Sequence, residues 1–131
     1  VEGLATMFEA PGVYDSRHHT SRRDRVNRTR LDAFRRGVEP HHRPEVIQSI
    51  IASDDLFRTN PGAAYAESWA LTFYLAETQP GRWAKYAART NDYPPFTEVT
   101  ARQRVDDFTA VFGDDWRMLE ARFLRFMAGV K

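Results

Sequence analysis

Residues Ala63 to Thr78 carry apolar side chains around most of a helical circumference, with Tyr65, Trp69, Thr72, Phe73 and Ala76 on one side and Ala66, Ala70 and Tyr74 on another. A helix without a broad polar face must be surrounded by other elements, since each apolar stripe left in water forfeits its burial energy. Asn60-Pro61-Gly62 reads as the start of this central helix, and Pro80-Gly81 reads as its break. Everything else in the chain has to be arranged around it.

The other apolar positions also recur at helical spacing, and no stretch alternates in the manner of a half-buried strand. The reading is therefore all-α, with six or seven helices in a single domain spanning residues 1–131. A first helix is expected from Val1 to Glu9, with Val1, Leu4, Ala5 and Phe8 as its buried stripe and Pro11-Gly12 ending it. A second is expected from Asp24 to Arg36, with a narrow apolar face and Gly37 closing it in left-handed geometry. His41 to Pro44 is a connector, and Pro44 opens a short helix carrying Val46, Ile47, Ile50 and Ile51. Leu56-Phe57 falls in a loop after Asp54-Asp55, and a short helix runs from Trp83 to Thr90 before a Pro94-Pro95 turn. The last two helices, Ala101 to Phe112 and Trp116 to Val130, form a hairpin divided by Gly113. Asp114 is its expected N-cap, and Val105, Phe108 and Phe112 face Leu119, Phe123 and Phe126.

A chain of 131 residues with 42% apolar and 28% charged residues is long enough to bury a core without staples and is not of the disordered type. It contains no cysteine, which excludes disulfides, thiolate chemistry and Cys-ligated zinc. The longest apolar run, Trp69 to Ala76, is far short of the roughly 20 residues needed to span a bilayer. Net charge is +1, yet Arg17 to Arg43 holds nine arginines against Asp24, Asp32 and Glu39. With one aromatic, Phe34, among those arginines and no Gly-rich phosphate loop, a salt-bridged solvated face is favoured over nucleic-acid contact. The chain opens on Val within a helix-like pattern, so the expectation is an excised C-terminal piece of a longer polypeptide.

Two tracts carry chemistry. Val1-Glu2-Gly3-Leu4-Ala5-Thr6-Met7-Phe8-Glu9 resembles the helix that supplies the third zinc ligand in gluzincin metallopeptidases, and Tyr65-Ala66-Glu67-Ser68-Trp69-Ala70-Leu71-Thr72-Phe73-Tyr74-Leu75 resembles a downstream helix of the aminopeptidase N type. Val1 stands where aminopeptidases usually carry Asn and Ser68 where they carry Gly, so the likeness is to the looser peptidase-MA-like proteins. The stretch Phe112 to Phe123 resembles the tail of those domains. The resemblance implies that Glu2 is a metal ligand and that Tyr65 is a catalytic residue whose neutral hydroxyl donates to the tetrahedral oxyanion. It further implies zinc in the intact protein, a peptide or protein substrate, and an upstream metallopeptidase half of the same polypeptide bearing His-Glu-x-x-His. That motif is absent from these residues, so this chain alone is expected to hold no zinc and to hydrolyse nothing.

Without the resemblance, Glu2, Thr6 and Glu9 read as the solvated face of an amphipathic helix, and Tyr65 as a core tyrosine bonded to a backbone carbonyl. The chain is then a non-catalytic helical interaction module whose Arg-rich segment meets an acidic partner or nucleic acid. His18-His19 and His41-His42 lack the i, i+4 spacing of chelating pairs and read as solvated loop histidines. Ser68 beside Trp69 has no nucleophile-elbow context.

Overall fold

A computed structural model describes residues 2–131. Val1, placed by the sequence reading in the first helix, lies outside the described residues. The protein is all-α: among the described residues there are nine α-helices and no strand. They are α1 (Glu2–Met7), α2 (Pro11–Tyr14), α3 (Arg28–Ala33), α4 (Pro44–Ala52), α5 (Asp55–Thr59), α6 (Pro61–Thr78), α7 (Pro80–Asn91), α8 (Ala101–Phe112) and α9 (Trp116–Ala128). The excess over six or seven comes from α2 and α5, each barely more than a turn, which the sequence reading assigned to a breaker and a loop.

The α6 helix is the centre. The Asn60 side chain accepts from the Ala63 amide and Pro61 sits in the first turn, which fixes its start. It buries Ala64, Ala66, Trp69, Ala70, Leu71, Phe73, Tyr74 and Leu75, and it packs against α1, α3, α4, α5, α7 and α9. Pro80 does more than break α6: Gln79 alone leaves helical geometry and Pro80 opens α7 directly, three residues before the expected start. A fixed proline φ suits a first helical turn, where a missing amide hydrogen costs nothing.

The first helix keeps the expected period and shifts its phase. Gly3, Thr6, Met7 and Ala10 are buried, whereas Leu4 and Phe8 are 40% and 55% exposed. Gly3 decides this. A Cβ there would fall inside contact distance of Thr72 Oγ1 and 2.5 Å from the Ser68 carbonyl oxygen. Only glycine lets the α1 backbone lie directly on α6, and that close approach outweighs burial of the larger Leu4 and Phe8. Thr6, expected in solvent, is buried and donates its hydroxyl to the Gly3 carbonyl at 2.9 Å.

The expected Asp24 to Arg36 helix is interrupted. Ser21 and Asp24 form a capping box over a 3₁₀ turn at Arg22–Arg25, and the chain then extends through Val26 and Asn27. Buried Asn27 starts α3 by accepting from the Arg30 amide at 3.2 Å, and its amide donates to the Thr6 carbonyl at 3.0 Å and to Glu9 Oε2 at 2.6 Å. Those bonds tie α3 to α1, a long-range demand that local periodicity does not express. After Ala33 the backbone widens into a π-turn at Phe34–Val38, so Gly37 continues the helix instead of closing it in left-handed geometry.

The final pair departs most from expectation. Gly113, at φ +83°, ends α8, and the α9 N-cap is Asp115, which accepts from the Met118 amide, not Asp114. The two helices splay apart instead of forming a zipped hairpin: α8 packs on α4 and α7, while α9 packs on α4 and α6. Phe123 accordingly meets Phe34 and Tyr74, and Phe126 meets Phe73 and Tyr74. Phe108 stacks on Trp116 and meets Tyr86 edge-on. Among the described residues, no helix is long and apolar enough to cross a membrane.

Candidate functional site

Glu2 and Tyr65 line the same cavity, of about 730 Å³. The first side chain sits at the start of α1 and the second in the first turns of α6, and the Gly3 contact with Ser68 and Thr72 brings them together. Tyr65, Ser68 and Thr72 stand at i, i+3 and i+7 on α6, so the face that meets α1 is also the face that carries the phenol.

The Tyr65 ring is held from two sides. Phe57 of α5 meets it edge-on with centroids 5.1 Å apart, and the Arg30 guanidinium lies 5.1 Å from its centroid. Aromatic and cation–π contacts of this kind fix a ring without engaging its hydroxyl. The Tyr93 hydroxyl donates to Asp107; that of Tyr65, a residue lining the cavity, has no hydrogen-bond partner among the described residues. Glu9 meets Arg30 and Asn27, whereas Glu2 has no cationic partner among the described residues.

Beyond Tyr65 the cavity becomes apolar. Leu71 and Leu75 of α6 continue its wall, Ile50 and Ile51 of α4 flank it, and Trp83, Tyr86 and Phe108 come from α7 and α8. Burial raises the Tyr86 phenol above its ordinary value, with Asp107 adding to the effect and Arg104 opposing it, so that hydroxyl is neutral near pH 7. At the rim Arg104 donates to Asp54 at 3.1 Å. The loop after α7 supplies Thr97 and Val99, and it is anchored by Asp107, which accepts from the Tyr93 hydroxyl at 2.5 Å and from Arg89 at 2.7 Å.

A second cluster lies in the core, and the sequence reading missed it. His42, read as a solvated loop residue, has a completely buried side chain: Nε2 donates to Glu67 Oε1 at 2.8 Å and Nδ1 to Glu120 Oε2 at 3.3 Å. Burial disfavours the imidazolium, but the hydrogen bond and charge of Glu67, joined by those of Glu120, outweigh it, and His42 titrates above the ordinary 6.5. One signal pointed this way. Glu67 interrupts an otherwise apolar helix that has to be buried all round, and a carboxylate there requires a partner. His18, by contrast, is exposed and pairs with Asp15.

The arginines of the basic stretch are largely spent within the molecule. Arg22 and Arg25 bind Glu77, Arg28 reaches the Lys131 carbonyl, and Arg35 donates to the Met127 and Val130 carbonyls. Burial opposes ionisation of Glu77, and the two guanidiniums overcome it to hold the carboxyl below its usual range. These bonds clamp the segment from Arg22 to Arg35 onto α6 and the C-terminus.

The family described as "Protein of unknown function (DUF1570)" matches residues 1–97. The chain belongs to that family. The match takes in α1, α6 and α7, hence Glu2 and Tyr65, and stops before α8 with Arg104 and Phe108. No curated protein and no solved structure matches the chain. Among the described residues, no three His, Cys, Asp or Glu side chains are grouped to hold a metal ion.

Proposed function

We propose that this chain of the DUF1570 family is the helical portion of a zinc-dependent peptidase of the gluzincin, peptidase-MA-like type, with peptide-bond hydrolysis carried out by the intact protein. The observation that supports the reading is that Glu2 and Tyr65, singled out by separate tracts 63 positions apart, line one cavity. Glu2 is one carboxylate where a catalytic zinc needs three protein ligands, so the remaining two belong to an upstream half of the polypeptide. When bound, the ion would supply an activated water.

This chain's own residues do three things in the proposed reaction. Glu2, with no cationic partner among the described residues, presents a carboxylate at the cavity wall. Tyr65, fixed by Phe57 and Arg30, donates its hydroxyl to the oxygen on which negative charge develops, a task for which a pre-positioned neutral donor is suited. The apolar walls exclude water around the substrate and so strengthen that hydrogen bond.

The test uses the longer polypeptide in which a His-Glu-x-x-His helix precedes these residues. There Tyr65→Phe should lower kcat by roughly 100-fold or more while KM changes little, the mark of an interaction made in the transition state. Glu2→Gln should weaken zinc retention on dialysis. A Tyr65→Phe enzyme with kcat within twofold of the parent would remove Tyr65 from the chemistry. A preceding sequence without the motif would remove the peptidase.

A further inference from the structure

The cavity has a polar end and an apolar end, and the apolar end has no role in holding a metal or an oxyanion. Tyr65, Ser68, Thr72 and Leu75 run along one face of α6 over ten residues, a rise of about 15 Å. Glu2 and Gly3 lie against the Ser68 and Thr72 part of that face. Past it, where α7 turns back from Gln79, Trp83, Tyr86 and Phe108 join Leu75 in the lining, with Ile51, Val99 and the Arg104–Asp54 ion pair also on the cavity wall. The volume of about 730 Å³ falls within the range of roughly 300–1,000 Å³ typical of ligand sites. A backbone segment passing Glu2 and Tyr65 leaves the far lobe to be filled by a side chain.

The structure assigns this lobe, we infer, to one bulky apolar side chain of the peptide substrate, aromatic or branched aliphatic, with Leu75, Trp83, Tyr86 and Phe108 setting the preference. The assignment rests on the peptidase reading for the identity of the ligand as a peptide, and on the lining itself for the selectivity. A charged side chain would sit among three aromatic rings, and the charges at the rim, Arg104 and Asp54, already neutralise each other at 3.1 Å. An alanine side chain would leave the lobe unfilled. Apolar pockets discriminate by roughly 10-fold or more for each missing methylene, so a phenylalanine side chain should exceed alanine by at least tenfold.

The experiment measures binding to the 131-residue chain, without metal or turnover. The ¹⁵N-labelled protein is titrated with the amides of N-acetyl-phenylalanine, N-acetyl-alanine and N-acetyl-aspartate. The phenylalanine derivative should move the Trp83 indole resonance and the backbone amides of Leu75 and Tyr86, with half-saturation at least tenfold lower than for the alanine derivative. The aspartate derivative should move none of them. Val99→Trp, which extends a half-buried loop side chain into the lobe, should abolish the phenylalanine response with the rest of the spectrum unchanged. Thr97→Trp, at an exposed loop position, does the same should Val99→Trp fail to fold. Equal half-saturation for the three amides, or shifts confined to residues away from α6 and α7, would overturn the assignment. Saturation by the phenylalanine amide alongside a longer polypeptide that hydrolyses nothing would sink the peptidase and leave the lobe's selectivity standing. Hydrolysis without any preference for bulky apolar residues would do the reverse.

Discussion

Replacing His42 by Gln tests whether the buried cluster is an ionic clamp. The side chains of His42 and Glu67 are fully enclosed, and that of Glu120 is 18% exposed, so loss of the imidazolium leaves Glu67 without access to water while Glu120 rehydrates. Removing one member of a buried ion pair costs about 3–5 kcal/mol. The glutamine amide returns one neutral hydrogen bond, worth about 1 kcal/mol, and fills much of the ring's volume between Phe34 and Phe123. The net loss should be about 2–4 kcal/mol, a large part of the roughly 5–15 kcal/mol of a typical domain. With a urea m-value of about 1–3 kcal/mol/M, the midpoint falls by roughly 1–2 M. The pH dependence carries a second signature. Because the folded-state pKa of His42 is raised, its contribution is complete below the unfolded value of about 6.5 and fades as pH rises through the folded value. The parent should therefore lose stability as pH rises above about 6.5, and His42→Gln should be flatter there. Adding Glu67→Gln to His42→Gln should restore part of the loss, with a coupling of about 1–3 kcal/mol. A midpoint within 0.3 M (about 0.5 kcal/mol at the m-values above) of the parent and an unchanged pH slope would refute the ionic clamp.

Two further perturbations address how the cavity is built. Gly3→Ala puts a methyl group into the Ser68 carbonyl and Thr72 hydroxyl; overpacking costs about 1–3 kcal/mol against at most about 1 kcal/mol gained in helix propensity, so urea unfolding should show a net loss, whereas unchanged or increased stability would mean that α1 does not lie on α6 as described. Asp107→Asn removes the carboxylate that Tyr93 and Arg89 hold, and amide exchange in residues 92–100 should accelerate while α6 is unaffected. In the parent, burial opposes ionisation of Asp107 and the Tyr93 and Arg89 bonds overcome it, so its carboxyl lies below the ordinary 3.8. Its contribution is present above that value and lost as pH falls through the depressed one; acid unfolding of Asp107→Asn below about pH 4 should be shallower than the parent's, and identical acid limbs would count against the anchor.

Periodicity revealed which segments are helical, and it failed where a residue's partner lies far along the chain. The limits of α8 and the central place of α6 follow from local pattern, since a Thr100 capping box and an all-round apolar face need no knowledge of the neighbours. The phase of α1 does not. Leu4, Ala5 and Phe8 form as good a helical stripe as Gly3, Thr6, Met7 and Ala10, and by transfer energy a better one. What decides between them is that α6 presents a backbone carbonyl and a hydroxyl that glycine alone can approach. The break at Asn27 has the same origin, for its amide is spent on α1. The splayed α8 and α9 follow from α4, whose Ile47, Ile50 and Ile51 draw both helices to themselves and away from each other.

The phase of α1 also sets the candidate site. Had α1 buried Leu4 and Phe8, the helix would have been turned about its axis by roughly 100°, one residue of helical phase, and the Glu2 side chain would have pointed away from the Tyr65 face of α6. The glycine that misleads a hydrophobic count is thus the residue that brings a carboxylate and a phenol to one cavity. A tract of small residues beside an acid is easily read as a weak helix. In this protein it marks the closest approach of two helices, and the two candidate groups sit at that approach because backbone contact fixes them more tightly than side-chain packing would.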